Sequence, residues 1–171
     1  MERVWVAGNA GSGKTTLANL ISKELDIPVY HRDYITWHED SSMRPEDEQL
    51  ALTKSITETS KWVFDGARFT ASKIDGRPKR CDTIINLELN RLLCVCRVFK
   101  RAREKVKRTD LSAVDKQPFS FNILKYILWE YPVKRKQREI IFNLARKRGI
   151  NVVVLKTKND VSNFILSLSK S

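Results

Sequence analysis

Apolar positions in this chain fall into short runs separated by longer amphipathic stretches. Val4-Trp5-Val6-Ala7, Pro28-Val29-Tyr30, Trp62-Val63-Phe64-Asp65-Gly66, Thr83-Ile84-Ile85-Asn86-Leu87 and Ile150 to Leu155 are too short for helices and too uniformly apolar for strands with a wet face. They read as strands buried on both sides. Between them the period changes to that of a helix. Lys14 to Leu25 carries Leu17, Leu20, Ile21 and Leu25 on one face, and Pro45 to Ser60 opens with proline and acids, a helix N-terminal signature. From Arg91 onward, Leu92, Val95, Phe99, Ala102 and Val106 share the predicted inner face of a long basic helix. Phe121 to Tyr131 and Pro132 to Arg148 also read as helices, the second with cations gathered before Gly149, where they suit a helix C-terminus. Thr157-Lys158-Asn159-Asp160 resembles a capping box that opens a last helix with Val161, Phe164, Ile165 and Leu168 inward.

Apolar strands joined by helical crossovers predict an α/β domain, a parallel sheet with helices on both faces. The whole chain, 1–171, reads as a single domain, and the polar stretch from Arg108 to Ser120 reads as a mobile loop or part of a lid spanning about 108–135. Composition, 42% hydrophobic and 30% charged, is that of an ordinary soluble domain. No apolar run is long enough to span a membrane, and the N-terminus lacks the basic-then-apolar order of a secretion leader. Cys81, Cys94 and Cys96 are odd in number and lack C-x-x-C spacing, which argues against a disulfide scaffold or zinc site and suits a reducing cytoplasm.

The charge is unevenly placed. Of the net +12, the stretch from Arg97 to Arg148 holds +11, from 16 basic and 5 acidic side chains. Such a concentration implies a polyanionic partner, either nucleotide phosphates or nucleic acid; a solvated helical face is the plainer alternative.

Gly8-Asn9-Ala10-Gly11-Ser12-Gly13-Lys14-Thr15 fits G-x-x-x-x-G-K-[ST] in full and lies where the motif requires, after an apolar strand and at the start of an amphipathic helix. Its glycines allow the backbone to approach phosphate oxygens, while N–H groups at the helix start point at the anion. The expected ligand is ATP with Mg²⁺, held by Gly8 to Thr15 and the adjoining Thr16. Lys14 is expected on the β- and γ-phosphates, and the Thr15 hydroxyl on the metal. No N-K-x-D guanine motif is present. Asp65 ends an apolar strand expected beside the first one, which predicts a carboxylate at the Mg²⁺ water shell; an Asp-Gly turn is the alternative.

With these residues in place, the chain resembles the nucleoside-monophosphate-kinase group of P-loop proteins, and more narrowly the adenylate-kinase-like family labelled DNA topology modulation protein. The narrower resemblance rests on the P-loop, His31-Arg32-Asp33-Tyr34-Ile35-Thr36-Trp37, Trp62-Val63-Phe64-Asp65-Gly66, the Arg-rich helix and Leu128-Trp129-Glu130-Tyr131-Pro132. It implies a three-layer P-loop NTPase fold with strand order 2-3-1-4-5, and ATP-dependent phosphoryl transfer to a small molecule. An ATP-switched nucleic-acid-binding regulator is the alternative, although no helix-turn-helix, zinc finger or RNP pattern is recognisable. Similar kinases place a carboxylate after strand 2 that acts on the acceptor hydroxyl, which points to Asp33, with a helix cap or exposed loop residue as its other reading. They also carry an R-x-x-x-R pair that stacks on the base and grips phosphates, which points to Arg97 and Arg101. Trp37 is a candidate wall of the acceptor pocket or a core residue. Arg68 is a candidate contact for an anionic acceptor group or a surface residue. The sequence departs from adenylate kinases after Asp65-Gly66, where Ala67-Arg68-Phe69 replaces an aromatic residue, proline and arginine, so AMP specificity does not carry over. Arg108, Arg135 and Arg138 are candidate lid cations or surface residues, and His31 and His38 read as loop residues rather than ligands.

Overall fold

The computed structural model describes residues 1–40, 42–66, 76–103 and 121–168. Strands β1 (Arg3–Gly8), β2 (Val29–His31), β3 (Trp62–Asp65), β4 (Thr83–Leu87) and β5 (Asn151–Leu155) form one parallel sheet in the order β2-β3-β1-β4-β5. The helices are α1 (Lys14–Leu25), α2 (Arg32–Thr36), α3 (Glu46–Glu58), α4 (Arg77–Arg80), α5 (Arg91–Arg103), α6 (Phe121–Lys125), α7 (Tyr131–Val133), α8 (Arg135–Lys147) and α9 (Lys158–Leu168). A π-helical turn, Tyr126–Glu130, joins α6 to α7. The short α2 and α4 carry too few residues for a helical period and were not anticipated from the pattern. No described helix is long and apolar enough to cross a membrane.

Alternation along each strand divides the core into two layers. Val4, Val6, Val63, Ile85 and Leu87 pack with Leu17, Ala18 and Ile21 of α1 and Leu168 of α9. Trp5, Ala7, Trp62, Phe64 and Ile84 face the other way, toward Tyr131 and the α8 residues Ile141, Phe142 and Ala145. The start of α9 is capped reciprocally, the Asp160 amide donating to Thr157 Oγ1 at 3.0 Å and the Thr157 amide to Asp160 Oδ2 at 3.0 Å.

Helix α5 departs from the expected facing. Leu92, Phe99 and Ala102 are exposed, whereas Cys94 is buried with Leu93, Val95 and Val98 partly packed around it. Val106 lies outside the described residues. The reason is the partner. This face of α5 lies on the P-loop, where a Cβ on Gly11 would stand 2.5 Å from Cys94 O and 2.9 Å from Val98 Cγ2. Close approach to a bare backbone selects small side chains, not the largest apolar ones.

The interior also holds arginines. Arg77 is fully buried, its guanidinium 4.6 Å from the Phe64 ring centroid and 5.2 Å from that of Trp5. Arg77 Nη1 and Trp5 Nε1 both donate to Gly66 O, at 3.1 and 2.7 Å. A buried cation is tolerable when its donors are used and aromatic faces line its path. Arg77→Met removes the charge but leaves Gly66 O with one donor fewer and Arg77's other partners unmatched. It is expected to destabilise the fold by about 3 kcal/mol, read as a lower urea midpoint at unchanged slope.

Candidate active site at the carboxyl edge of the sheet

The P-loop runs from the end of β1 into α1. Gly11 and Gly13 have φ of 73° and 96°, in the left-handed region that favours glycine. Leu17 N–H, bonded to Gly13 O at 3.0 Å, is the first amide of α1 to find a carbonyl within the helix. The amides of Gly13, Lys14, Thr15 and Thr16 precede it, and no side chain caps this helix end. The result is a cluster of N–H groups at a positive helix end, suited to phosphate oxygens. Lys14 Nζ folds back over the loop and donates to Asn9 O at 2.8 Å.

Asp65 ends β3 beside this cluster, in register with Val6 of β1 and His31 of β2. Its Oδ2 accepts from Thr15 Oγ1 at 2.7 Å and lies 3.2 Å from His31 Nδ1. Oδ1 is buried and has no hydrogen-bond partner. An orphaned, buried carboxylate oxygen is costly unless something positive completes it. Thr15 spends its proton on Asp65, which leaves its oxygen lone pairs open. A hydroxyl and a carboxylate oxygen are the donors a hard cation such as Mg²⁺ takes, usually while keeping several of its waters. The residues present therefore fit a magnesium ion carried on phosphates.

Asp33 lies on α2, two residues after His31. Withdrawal of its carboxyl from solvent raises its pKa above the ordinary 3.8, and the nearby Asp65 charge raises it further, while Lys14, His31 and Arg101 pull the other way. The residue keeps exposed surface even so, as a group at the mouth of a cleft does. These couplings bring Asp33, Asp65, Lys14 and Arg101 into one electrostatic neighbourhood. Arg97, one turn before Arg101, is differently engaged: its Nη1 donates to Ser12 O at 3.0 Å and so braces the P-loop backbone.

The segment after the undescribed residues 104–120 reaches the P-loop through its backbone. Pro132 has no N–H to give Leu128 O, and the π turn sends the Tyr131 amide to Tyr126 O, bypassing Ile127 O. Both freed carbonyls are taken: Arg91 Nη1 donates to Leu128 O at 3.0 Å, and Asn9 Nδ2 to Ile127 O at 3.2 Å. Asn9 Oδ1 in turn accepts from the Ala10 amide at 2.9 Å. Asn9 thus ties the P-loop to a residue inside the span expected to be a lid, which is packed against the loop here.

Several expectations change. His31 is the last residue of β2 and bonded to Asp65, not a loop residue; no local pattern marks it, and only the strand register reveals it. Arg138 is buried on α8, donating to Tyr131 O with its guanidinium 3.8 Å from the Tyr131 ring centroid and 3.9 Å from Glu88, so it is an interior bracket and not a lid cation. Arg135 is exposed. Trp37 is half-buried in a short hairpin, bridged to Met43. His38 lies 3.8 Å from Glu48 at the surface. Arg68 and Arg108 lie outside the described residues. Burial, with Asp82 adding, pushes the Cys81 thiol up to about 12, which suits packing and not nucleophilic chemistry. Two open surface depressions, one lined by Cys96, Phe99, Lys100 and Arg103 and one by His38, Glu39, Asp40, Ser42 and Arg44, include no P-loop residue. Among the described residues, converging polar groups define the site.

No protein-family model and no curated protein matches this chain. Among solved structures it is similar to shikimate kinase from Acinetobacter baumannii in complex with shikimate, at 12% identity over 98% of this chain and 90% of that one, with a TM-score of 0.61. It is similar also to a gluconokinase from Sinorhizobium meliloti 1021, at 13% identity over 99% and 90% with a TM-score of 0.58. A shikimate kinase from Bacteroides thetaiotaomicron matches at 13% identity over 99% and 97%, with a TM-score of 0.57. At such identities the likeness is one of fold: a five-stranded parallel sheet in the order 2-3-1-4-5, flanked by helices, as in these P-loop kinases.

Proposed function

We propose that this protein transfers the terminal phosphoryl group of ATP, bound with Mg²⁺, to a hydroxyl group of a small molecule. The observation that carries the reading is the meeting of Thr15 and Asp65, with Lys14 close by, and a second carboxylate, Asp33, near enough to feel the charges of Asp65 and Lys14. Nucleotide binding alone has no use for Asp33; an attacking hydroxyl does. Neighbours of the same fold that are by name kinases of small molecules support the reaction class. The resemblance to the adenylate-kinase-like family labelled DNA topology modulation protein agrees with it and leaves the acceptor open.

Phosphoryl transfer asks the protein mainly for alignment and for positive charge around the moving group. In this reading the amides of Gly13 to Thr16 and Lys14 hold the phosphate oxygens. Thr15 and Asp65 would hold the metal, and Mg²⁺ bound there would supply charge that offsets the negative phosphates. Arg101 faces the same cleft, and Arg97 keeps the loop shaped. Asp33 orients the acceptor hydroxyl, whose oxygen forms a bond to the γ-phosphorus as the bond to the ADP oxygen breaks; the hydroxyl proton passes to Asp33 or to solvent. Trp37 and Arg68 belong to the acceptor side; within the expected lid, about 108–135, Ile127 and Tyr131 are packed in the core and act as support rather than as a moving cover. The basic surplus from Arg97 to Arg148 serves nucleotide phosphates.

An ATP-consumption screen over nucleosides, nucleotides and small hydroxylated metabolites, with the phosphorylated product identified, tests the proposal. One acceptor giving ADP and product in equal amounts is expected. No turnover with any of them, alongside ATP-independent binding to duplex DNA whose log K falls about 0.9 per phosphate neutralised as log salt rises, contradicts it. Lys14→Ala removes a charge-assisted contact to phosphate and is expected to weaken ATP binding by about tenfold to a hundredfold, with the melting temperature unchanged, as read by calorimetry. Asp33→Asn is expected to keep ATP affinity within about twofold and to lower transfer by about a hundredfold or more, with slow hydrolysis by water surviving. ATP affinity that collapses in Asp33→Asn removes Asp33 from the acceptor side.

A further inference from the structure

We infer that His31 is a positioning residue for the metal-binding carboxylate: its ring holds Asp65 by Oδ2 and leaves Oδ1 as the oxygen without a protein partner. The inference rests on the Mg²⁺-nucleotide reading above and adds to it a residue that the P-loop pattern does not contain. His31 closes the edge strand β2, directly in register with Asp65 at the end of β3. Side chains paired across adjacent strands leave the sheet on the same face, so the register alone brings the ring to the carboxylate. His31 Nδ1 then lies 3.2 Å from Asp65 Oδ2, and both side chains are shielded from solvent, at 17% and 8% exposure.

The carboxylate has two oxygens and one free torsion. Oδ2 is held by two groups, Thr15 Oγ1 at 2.7 Å and His31 Nδ1 at 3.2 Å. Thr15 by itself restrains one direction, and its oxygen is also needed by the metal. With His31 added, the carboxylate plane is fixed and Oδ1 is left buried and unpartnered. That is the arrangement in which an outer hydrogen bond orients a ligand and raises metal affinity. The ring is itself steadied, its centroid 5.7 Å from that of Tyr34 at a tilt of 56°. Among the described residues strand β2 has no neighbour beyond it, so this bond also fastens the sheet edge that carries Asp33, two residues further along, to Asp65.

The geometry gives a test that separates orientation from bulk packing. Asparagine places Nδ2 where histidine places Nδ1, so His31→Asn retains the donor, while His31→Leu fills comparable space and has none. ATP affinity is measured by calorimetry for wild type and both variants, first in EDTA and then over a Mg²⁺ series, with urea unfolding as a check on folding. In His31→Leu the Mg²⁺ concentration for half-maximal strengthening of ATP binding is expected to rise by about tenfold or more, with affinity in EDTA unchanged. His31→Asn is expected to stay within about threefold of wild type. A Mg²⁺ requirement in His31→Leu equal to that of wild type overturns the role of His31 and leaves the nucleotide reading standing. Equal losses in both variants, or loss of affinity in EDTA, make His31 a packing residue and overturn it likewise. ATP binding by wild type that ignores Mg²⁺ removes both readings together.

Discussion

Two groups converge on one oxygen, Asp65 Oδ2, and through it the P-loop helix, strand β3 and strand β2 are joined at the carboxyl edge of the sheet. The sheet makes this meeting cheap. Parallel strands run to the same edge, so Val6, His31 and Asp65 lie at one level with Gly8 just beyond, and the loops that follow share that edge. The carboxylate is brought there largely dehydrated, one oxygen satisfied and the other bare. Its environment is therefore incomplete without a cation, and the amides at the start of α1 are incomplete without an anion. A metal–phosphate pair satisfies both at once, which is why the site is read as a place for a nucleotide and not for either ion alone.

Much of the remaining structure can be understood as support for that edge. Arg77 and Trp5 both donate to Gly66 O, the peptide directly after Asp65. Arg97 donates to Ser12 O from α5, whose small residue Cys94 lets the helix lie almost on Gly11. Asn9 spans from the P-loop to a carbonyl released by a π turn, and that turn precedes Pro132, which has no amide to offer. Each brace grips backbone near the site, leaving the phosphate-facing groups of the loop open.

The strands, α1 and the P-loop were legible because they rest on local rules: short apolar runs, helical period, and glycines at positions where φ is positive. Asp65 was legible because it directly ends such a run. His31 was not, since its importance depends on register with a strand more than thirty residues away, and a lone histidine after a short apolar run carries no signal of that. The inner face of α5 was misread for a related reason. Its contact is a glycine backbone, so hydrophobicity points to Leu92 and Phe99 while the fold uses Cys94 and Val98. Arg77 and Arg138 were hidden in a basic composition, where a count of cations favours the surface; the Trp5 and Phe64 rings of β1 and β3 line Arg77, and the Tyr131 ring of the preceding helix lines Arg138. The acceptor side is the least legible, because a lone Trp37 or Arg68 outside any strand or helical period carries no local signal of what it faces.

The central claim is that the amide cluster at the start of α1 receives the phosphates while Asp65 faces the metal. Amide proton and nitrogen shifts of the whole chain, followed as Mg²⁺ and a non-hydrolysable ATP analogue are added, test it at the atoms concerned. The account predicts saturable shifts concentrated at Gly11, Gly13, Lys14, Thr15 and Thr16, with Asp65 and Gly66 responding only when Mg²⁺ is present. Saturating analogue that leaves the Gly11 to Thr16 amides unmoved, while shifts gather elsewhere on the molecule, would contradict it.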